Sequence, residues 1–221
     1  MQNVFSICTR FPGKREKPMN KQNSTIMKLA ETALLAALCY VSFTFLQIKI
    51  PVPGGDATSL HIGNTFCVLG ALLLGGWYGG LAGSIGMTIA YLMDPVYITG
   101  APKTFVLKLC IGLITGLVAH NIAKINETND KKYVFKWSLI ASIAGLAFNV
   151  IADPIVGYFY KQYILGQPQE VASILAKLSA GATFVNAIVS TILVVIIYNA
   201  VRPALIKANL IHVYVTAANA K

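Results

Sequence analysis

The chain has 221 residues, of which 56% are hydrophobic and only 12% charged, and it carries a formal net charge of +10. A soluble domain carries roughly a quarter charged residues, so this composition argues against a water-soluble globular fold. The length leaves room for about six membrane crossings of ~20 residues and none for a separate soluble catalytic domain.

Residues 1–25 are polar and basic, with Arg10, Lys14, Arg15, Lys17 and Lys21. They have no apolar stretch followed by a small-residue cleavage site, so they do not read as a secretory signal peptide. The expectation is a cytoplasmic tail. The first long apolar run covers 26–50 and is long enough to cross a bilayer. Pro51-Val52-Pro53-Gly54-Gly55-Asp56 breaks it. A second run covers 61–76 and a third 77–93, ended by Asp94-Pro95. Pro102 suits the first turn of a fourth helix reaching 123, because its missing N–H costs nothing there. Residues 124–136 are polar and read as a loop. A fifth helix covers 137–164 with Pro154 inside it, and Gly166-Gln167-Pro168 breaks the chain again. A short amphipathic piece at 170–178 and a sixth helix at 182–206 complete the pattern. The expected fold is an all-α integral membrane protein of six transmembrane helices spanning 26–207, with cytoplasmic tails at 1–25 and 208–221.

Six crossings bring both termini to one side. That side receives thirteen of the eighteen basic residues: the N-terminal group with Lys28, then Lys124, Lys131, Lys132 and Lys136, then Arg202, Lys207 and Lys221. The opposite side receives Lys49, Lys103, Lys161 and Lys177, and Lys108 falls within a span. The positive-inside rule then makes both termini cytoplasmic, and the basic excess serves topology rather than nucleic-acid binding. Gly75, Gly79 and Gly83, Gly76 and Gly80, and Gly112 and Gly116 recur at the four-residue spacing that lets helix backbones approach closely in lipid. The second and third helices should therefore form a tight hairpin. Ala33 and Ala37 make a similar stripe on the first helix, suited to internal packing or to docking another membrane protein.

Ionisable groups inside a span are expensive and so are functional candidates. Lys108 lies six residues into the fourth helix. In the fifth, Asn149, Asp153, Gly157 and Tyr160 share one stripe, as do Thr183, Asn186 and Ser190 in the sixth. Lys108 and Asp153 could simply pair. Alternatively, these residues form the polar floor of a pocket in the outer half of the bundle, covered by the Pro-Gly loop and the 94–100 loop. Tyr91, Tyr97, Tyr158, Tyr160 and Phe66 at that level could stack on a flat heteroaromatic ring or belong to an interfacial aromatic belt. His61 could donate to the ligand or cap the second helix.

Cys8, Cys39, Cys67 and Cys110 show no CxxC spacing and read as small buried residues, neither a metal site nor a disulfide frame. Gly13-Lys14 lacks the rest of a Walker A motif, and no HExxH, GxSxG or paired-Asp signature occurs. The chain is therefore expected to bind no ATP, no metal and no other cofactor, and to have no catalytic residues. If the chain works against a gradient, the energy comes from an ion or from a partner. The competing classes are an ion-coupled secondary transporter and an intramembrane enzyme.

Ile50-Pro51-Val52-Pro53-Gly54, Leu60-His61-Ile62-Gly63-Asn64, Ala71 to Gly76, Tyr78 to Gly86, Ala101-Pro102-Lys103-Thr104-Phe105 with Lys108, and more weakly Asn186 resemble the S components of energy-coupling factor (ECF) transporters, bacterial vitamin-uptake proteins. The resemblance covers most of 30–202. It implies a six-helix substrate-binding subunit in the cell membrane that works with a transmembrane coupling subunit and two ATPase subunits. Ala33 and Ala37 would touch the coupling subunit. His61, Asn64, Tyr97, Lys108, Asn149, Asp153, Tyr160 and Asn186 are the expected substrate-binding residues. Tyr91 to Tyr97 departs from the family pattern, where a small acidic or Ser-Gly turn would lead to a Gly-Tyr pair, so the substrate does not carry over. Pyridoxine or hydroxymethylpyrimidine is favoured; pantothenate, folate, riboflavin and a queuosine precursor stay open.

Overall fold

The computed structural model describes residues 21–52 and 56–208. The expected tails, apart from the first turns of the first helix, and the tip of the Pro-Gly break at 53–55 lie outside the described residues. Six helices follow in order: α1 (Lys21–Phe45), α2 (Gly63–Leu74), α3 (Gly76–Met93), α4 (Ala101–Gly116), α5 (Lys131–Phe159) and α6 (Gln169–Lys207). Between α1 and α2 lie two antiparallel strands, β1 (Gln47–Val52) and β2 (Asp56–His61), with Gln47 opposite His61 and Val52 opposite Asp56.

This hairpin corrects the all-α expectation. The first helix ends at Phe45 rather than continuing to Ile50. Residues 47–52, Gln-Ile-Lys-Ile-Pro-Val, begin with polar–apolar alternation, the period of a strand. Two other boundaries also move. α5 begins at Lys131, inside the stretch read as a loop, with the Asp130 carboxylate accepting from the Lys132 N–H as its N-cap. The amphipathic piece and the sixth helix form one 39-residue helix, with no break near residue 180.

Four helical stretches are long and apolar enough to cross a membrane: Thr25–Phe45, Ile98–Glu127, Lys131–Ile164 and Gln169–Lys207. α3 has 18 residues but is diluted by five glycines. α2 has only 12 residues, about 18 Å at 1.5 Å per residue, against a hydrocarbon core of about 30 Å. It begins only at Gly63, and the β1–β2 hairpin covers its end.

The helices pack as an antiparallel bundle with two distinct ends. One carries the hairpin, the 94–100 loop and the start of α6. The other carries the α2–α3 turn and the α4–α5 loop. There Lys28 of α1 lies over the Tyr78 ring, 5.8 Å from its centre, and Arg202 of α6 donates to the Ile125 and Thr128 carbonyls. Gly75 alone joins α2 to α3, at a φ of +99° that an L-residue side chain rarely tolerates. The glycine repeats then zip α3 between its neighbours. A Cβ on Gly79 would strike the Ala71 and Gly70 backbone, one on Gly83 the Cys67 side chain, and one on Gly112 the Gly80 backbone. Phe43, Leu72, Met87, Ile111, Leu146 and Tyr198 are fully buried in the core. Cys39 and Cys67 are buried too, while Cys110 is only half-buried.

Candidate functional site

Because α2 begins late, a cavity opens at the hairpin end, above the first turn of α2. It holds about 880 Å³ of free space, counting its open mouth. Its walls come from α3, α4, α5 and α6, and β2 with the 94–100 loop covers it. All eight expected binding residues line it: His61, Asn64, Tyr97, Lys108, Asn149, Asp153, Tyr160 and Asn186. They come from six separate elements, so only the tertiary fold brings them together.

Their hydrogen bonds divide them into two groups. Asp153 does not pair with Lys108. Its carboxylate binds the Lys103 ammonium at 2.8 Å and accepts from the hydroxyls of Ser179 and Thr183. One side chain thus ties α5 to α4 and α6. Lys103 was counted among the charges outside the spans. It reaches Asp153 because the two helices run side by side and Gly157, one turn from Asp153, leaves room for it. A Cβ there would lie 3.3 Å from Lys103 Nζ. Asn186 also serves the scaffold: its Oδ1 accepts from the His61 N–H and its Nδ2 donates to the Ser59 carbonyl, both at 3.0 Å. The amide therefore pins β2 to α6. His61 Nδ1 accepts from the Gly63 N–H at 3.2 Å, so the imidazole caps α2 while lining the cavity. The Tyr160 hydroxyl donates to the Thr99 carbonyl at 2.9 Å and fastens the 94–100 loop to α5.

The second group is Asn64, Asn149 and Lys108, which are 1%, 2% and 6% exposed. The Asn64 and Asn149 side-chain oxygens have no hydrogen-bond partner among the described residues, and Lys108 interacts with the Asp153 carboxylate only through space. Buried polar groups are nearly always satisfied, and an orphan costs about 1–3 kcal/mol, more when charged. Two unsatisfied amide oxygens and a buried ammonium in one cavity make a surface suited to a polar ligand.

Above them lies an aromatic cluster. Phe43 sits 4.9 Å from the His61 ring and 4.9 Å from Tyr91, and Tyr91 lies 5.2 Å from Tyr97. Tyr91, Tyr97 and Tyr160 reach the cavity, whereas Tyr158 and Phe66 do not line it. Phe43, the hub of the cluster, was not singled out in the sequence because it sits in an apolar run.

Outside the cavity lining, the Lys49 ammonium of β1 binds the Asp94 carboxylate of the 94–100 loop and lies 5.6 Å from the Tyr97 ring centre. Asp94 also accepts from the Val96 N–H. The hydrogen bond from Lys49 holds the Asp94 carboxyl below the ordinary carboxylate range, and Asp94 in turn holds Lys49 above the usual lysine value. The two covering segments are thus latched to each other.

Ala33 and Ala37 are exposed on the face of α1 that turns away from α3, beside exposed Leu34, Leu38 and Val41. Ala36 and Cys39, on the opposite face, meet Gly86 of α3.

Comparison with known proteins agrees with this architecture. The model of a family described as "ECF-type riboflavin transporter, S component" matches residues 23–203. Among solved structures, ThiT from Listeria monocytogenes superposes with a TM-score of 0.60 at 20% identity, covering 83% of this chain and 98% of that one. No curated protein gives a significant match.

Proposed function

The chain belongs to the ECF-type riboflavin transporter S component family, and on that premise we propose that it captures a water-soluble vitamin or related heterocycle at its hairpin end. It is a multi-pass membrane protein of a transporter family rather than an enzyme family. In this reading both termini are cytoplasmic and the hairpin end faces outward. The substrate enters beneath the hairpin and the 94–100 loop. Its ring stacks among Tyr91, Tyr97 and Tyr160, and its polar edge meets Asn64, Asn149 and Lys108.

The observation that carries the reading is the set of three buried polar side chains on the floor of the cavity, two of them amides with an unsatisfied oxygen. A ligand edge of donors and acceptors satisfies them together. The family description puts riboflavin first among candidates, and pyridoxine and hydroxymethylpyrimidine follow from the sequence. ATP is hydrolysed by two partner ATPases, and this chain binds none. The exposed Ala33/Ala37 stripe receives the transmembrane coupling subunit, where small residues allow close helix approach.

Titration of the purified chain with a vitamin panel tests the capture step, and the expected result is one ligand in the nanomolar to micromolar range. Proteoliposomes test the coupling: uptake needs the coupling subunit, the ATPases and ATP. Uptake by the chain alone along an ion gradient would establish a secondary transporter instead. Ala33→Trp should abolish uptake and leave binding intact; equal loss of both refutes the docking stripe.

A further inference from the structure

We propose that the outward face of the first two turns of α5 is a binding surface for anionic phospholipid headgroups in the bilayer leaflet at that end. α5 with the turn that continues it runs from Lys131 to Ile164, 34 residues or about 51 Å at 1.5 Å per residue. A bilayer with its headgroup layers is about 40–45 Å thick. The helix therefore reaches through the headgroups at both ends, and its first turns lie at the level of the phosphates. α5 packs chiefly on α4 and α6, so this face is separate from the α1 stripe offered to the coupling subunit.

Val134 and Ser138 form the buried side of these turns. Lys132 and Lys136, four residues apart, point about 160° away from them. Both lysines are exposed, and neither forms an ion pair among the described residues. The acids nearby are engaged: Glu127 pairs with Lys124 at 3.7 Å, and the Asp130 carboxylate accepts from the Lys132 N–H as the helix cap. Two like charges on one stripe repel, and an anion shared between them removes the repulsion. Exposed Tyr133 and Phe135 flank the stripe, about 80° to either side. Tyr133 is held in place, because its hydroxyl donates to the Ala123 carbonyl at 3.0 Å and its ring lies 6.1 Å from that of Trp137. Ammonium groups between interfacial rings match a lipid, whose phosphate sits directly above its acyl chains. An acidic protein segment has no comparable use for the exposed rings.

The chain has two tryptophans, Trp77 and Trp137. Trp77→Phe leaves Trp137 as a reporter beside the stripe. The full-length chain is placed in nanodiscs of equal parts phosphatidylglycerol and phosphatidylcholine, with dibrominated acyl chains on one lipid or on the other, so that only the label differs. Trp137 fluorescence should be quenched about twofold more when phosphatidylglycerol carries the bromine. Lys132→Gln with Lys136→Gln should bring that ratio to about one, whereas Lys28→Gln, at the same end but on α1, should leave it unchanged. Without any lysine variant, raising the salt from about 0.05 to about 0.5 M should lower the ratio, because exposed charges are screened. Equal quenching by the two lipids overturns the proposal and leaves the face to an acidic segment of a partner protein. A preference that survives the double variant, or one indifferent to salt, overturns it too. No vitamin enters the assay, so these failures leave the capture reading standing. Nanodiscs offer both lipids at both faces, so the outcome does not depend on which end is cytoplasmic.

Discussion

Of the described glycines, Gly79 leaves the least room for a side chain, and adding one methyl group there should unseat the ligand floor. A Cβ on Gly79 would lie 2.0 Å from the Ala71 nitrogen and 2.4 Å from the Gly70 carbonyl carbon. Ordinary contact begins near 3.4 Å, so α3 must withdraw from α2 by about 1.4 Å. The obstacles are backbone atoms, and no rotamer can relieve them. Overpacking of this kind costs about 3 kcal/mol, well above the ~1 kcal/mol that alanine gains over glycine in a helix. The net loss of about 2 kcal/mol is, for a chain of this length, a fall of roughly 4–8 °C in Tm. Since α2 bears Asn64 and α3 bears Tyr91, ligand affinity should fall too. Gly181→Ala supplies the control: no atom lies within 4 Å of its Cβ position and the site is exposed. It should raise Tm by about 2–4 °C. Thermal melts followed by far-UV circular dichroism in one detergent, with and without the best ligand, read both variants. Gly79→Ala melting within about 2 °C of the parent would refute the close-packing argument; equal damage from both variants would refute its assignment to this contact.

Asn186→Ala removes both bonds that hold β2 to α6. A loss of about 2 kcal/mol of anchoring should speed ligand release about 30-fold in stopped-flow measurements, with a smaller effect on capture. Asp153→Asn leaves Lys103 without its counter-charge and should destabilise the bundle by about 3 kcal/mol. The Lys103→Met, Asp153→Asn double variant should recover most of that loss in the same melts, and strictly additive losses would rule out the pairing. The Lys49–Asp94 latch predicts a pH window. The Asp94 carboxyl is lowered, so its contribution is present above the unfolded carboxylate value near 3.9 and is lost as pH falls further. The Lys49 ammonium is raised, so its contribution is present below the unfolded lysine value near 10.4 and is lost above it. Ligand exchange should be slow between these limits and quicken at the acid end. Asp94→Asn should exchange quickly throughout, and a pH profile identical to the parent's counts against the latch.

The resemblance to ECF S components was readable in the short motifs around Pro51, Asn64, Gly79 and Lys103, which are local and keep their order along the chain. The candidate site was readable in its members, since Lys108, Asp153, Asn149 and Asn186 stand out as polar residues in apolar runs. Their roles were not. Lys108 and Asp153 are the obvious charge pair along the chain, yet Lys103, counted as a charge outside the spans, takes the carboxylate. Ser179 and Thr183 join it because α6 passes alongside α5. Asn186 lines the cavity as expected and, which the sequence did not show, also holds the hairpin. The hairpin itself escaped notice because the first four residues of β1 extend an apolar run whose overall hydropathy reads as helix.

Composition and periodicity by themselves determined that this chain is a membrane helix bundle, because bilayer thickness and backbone hydrogen bonding dictate the length and apolarity of each span. Which spans are shortened, and which polar groups are left over, was decided only in three dimensions. α2 begins only at Gly63, because the chain before it is taken up by the β1–β2 hairpin. The Asn64 and Asn149 side-chain oxygens stay without a partner among the described residues, while Lys103, Ser179 and Thr183 share the Asp153 carboxylate. A hydrogen bond depends on distances between helices, and no spacing along one chain segment encodes them.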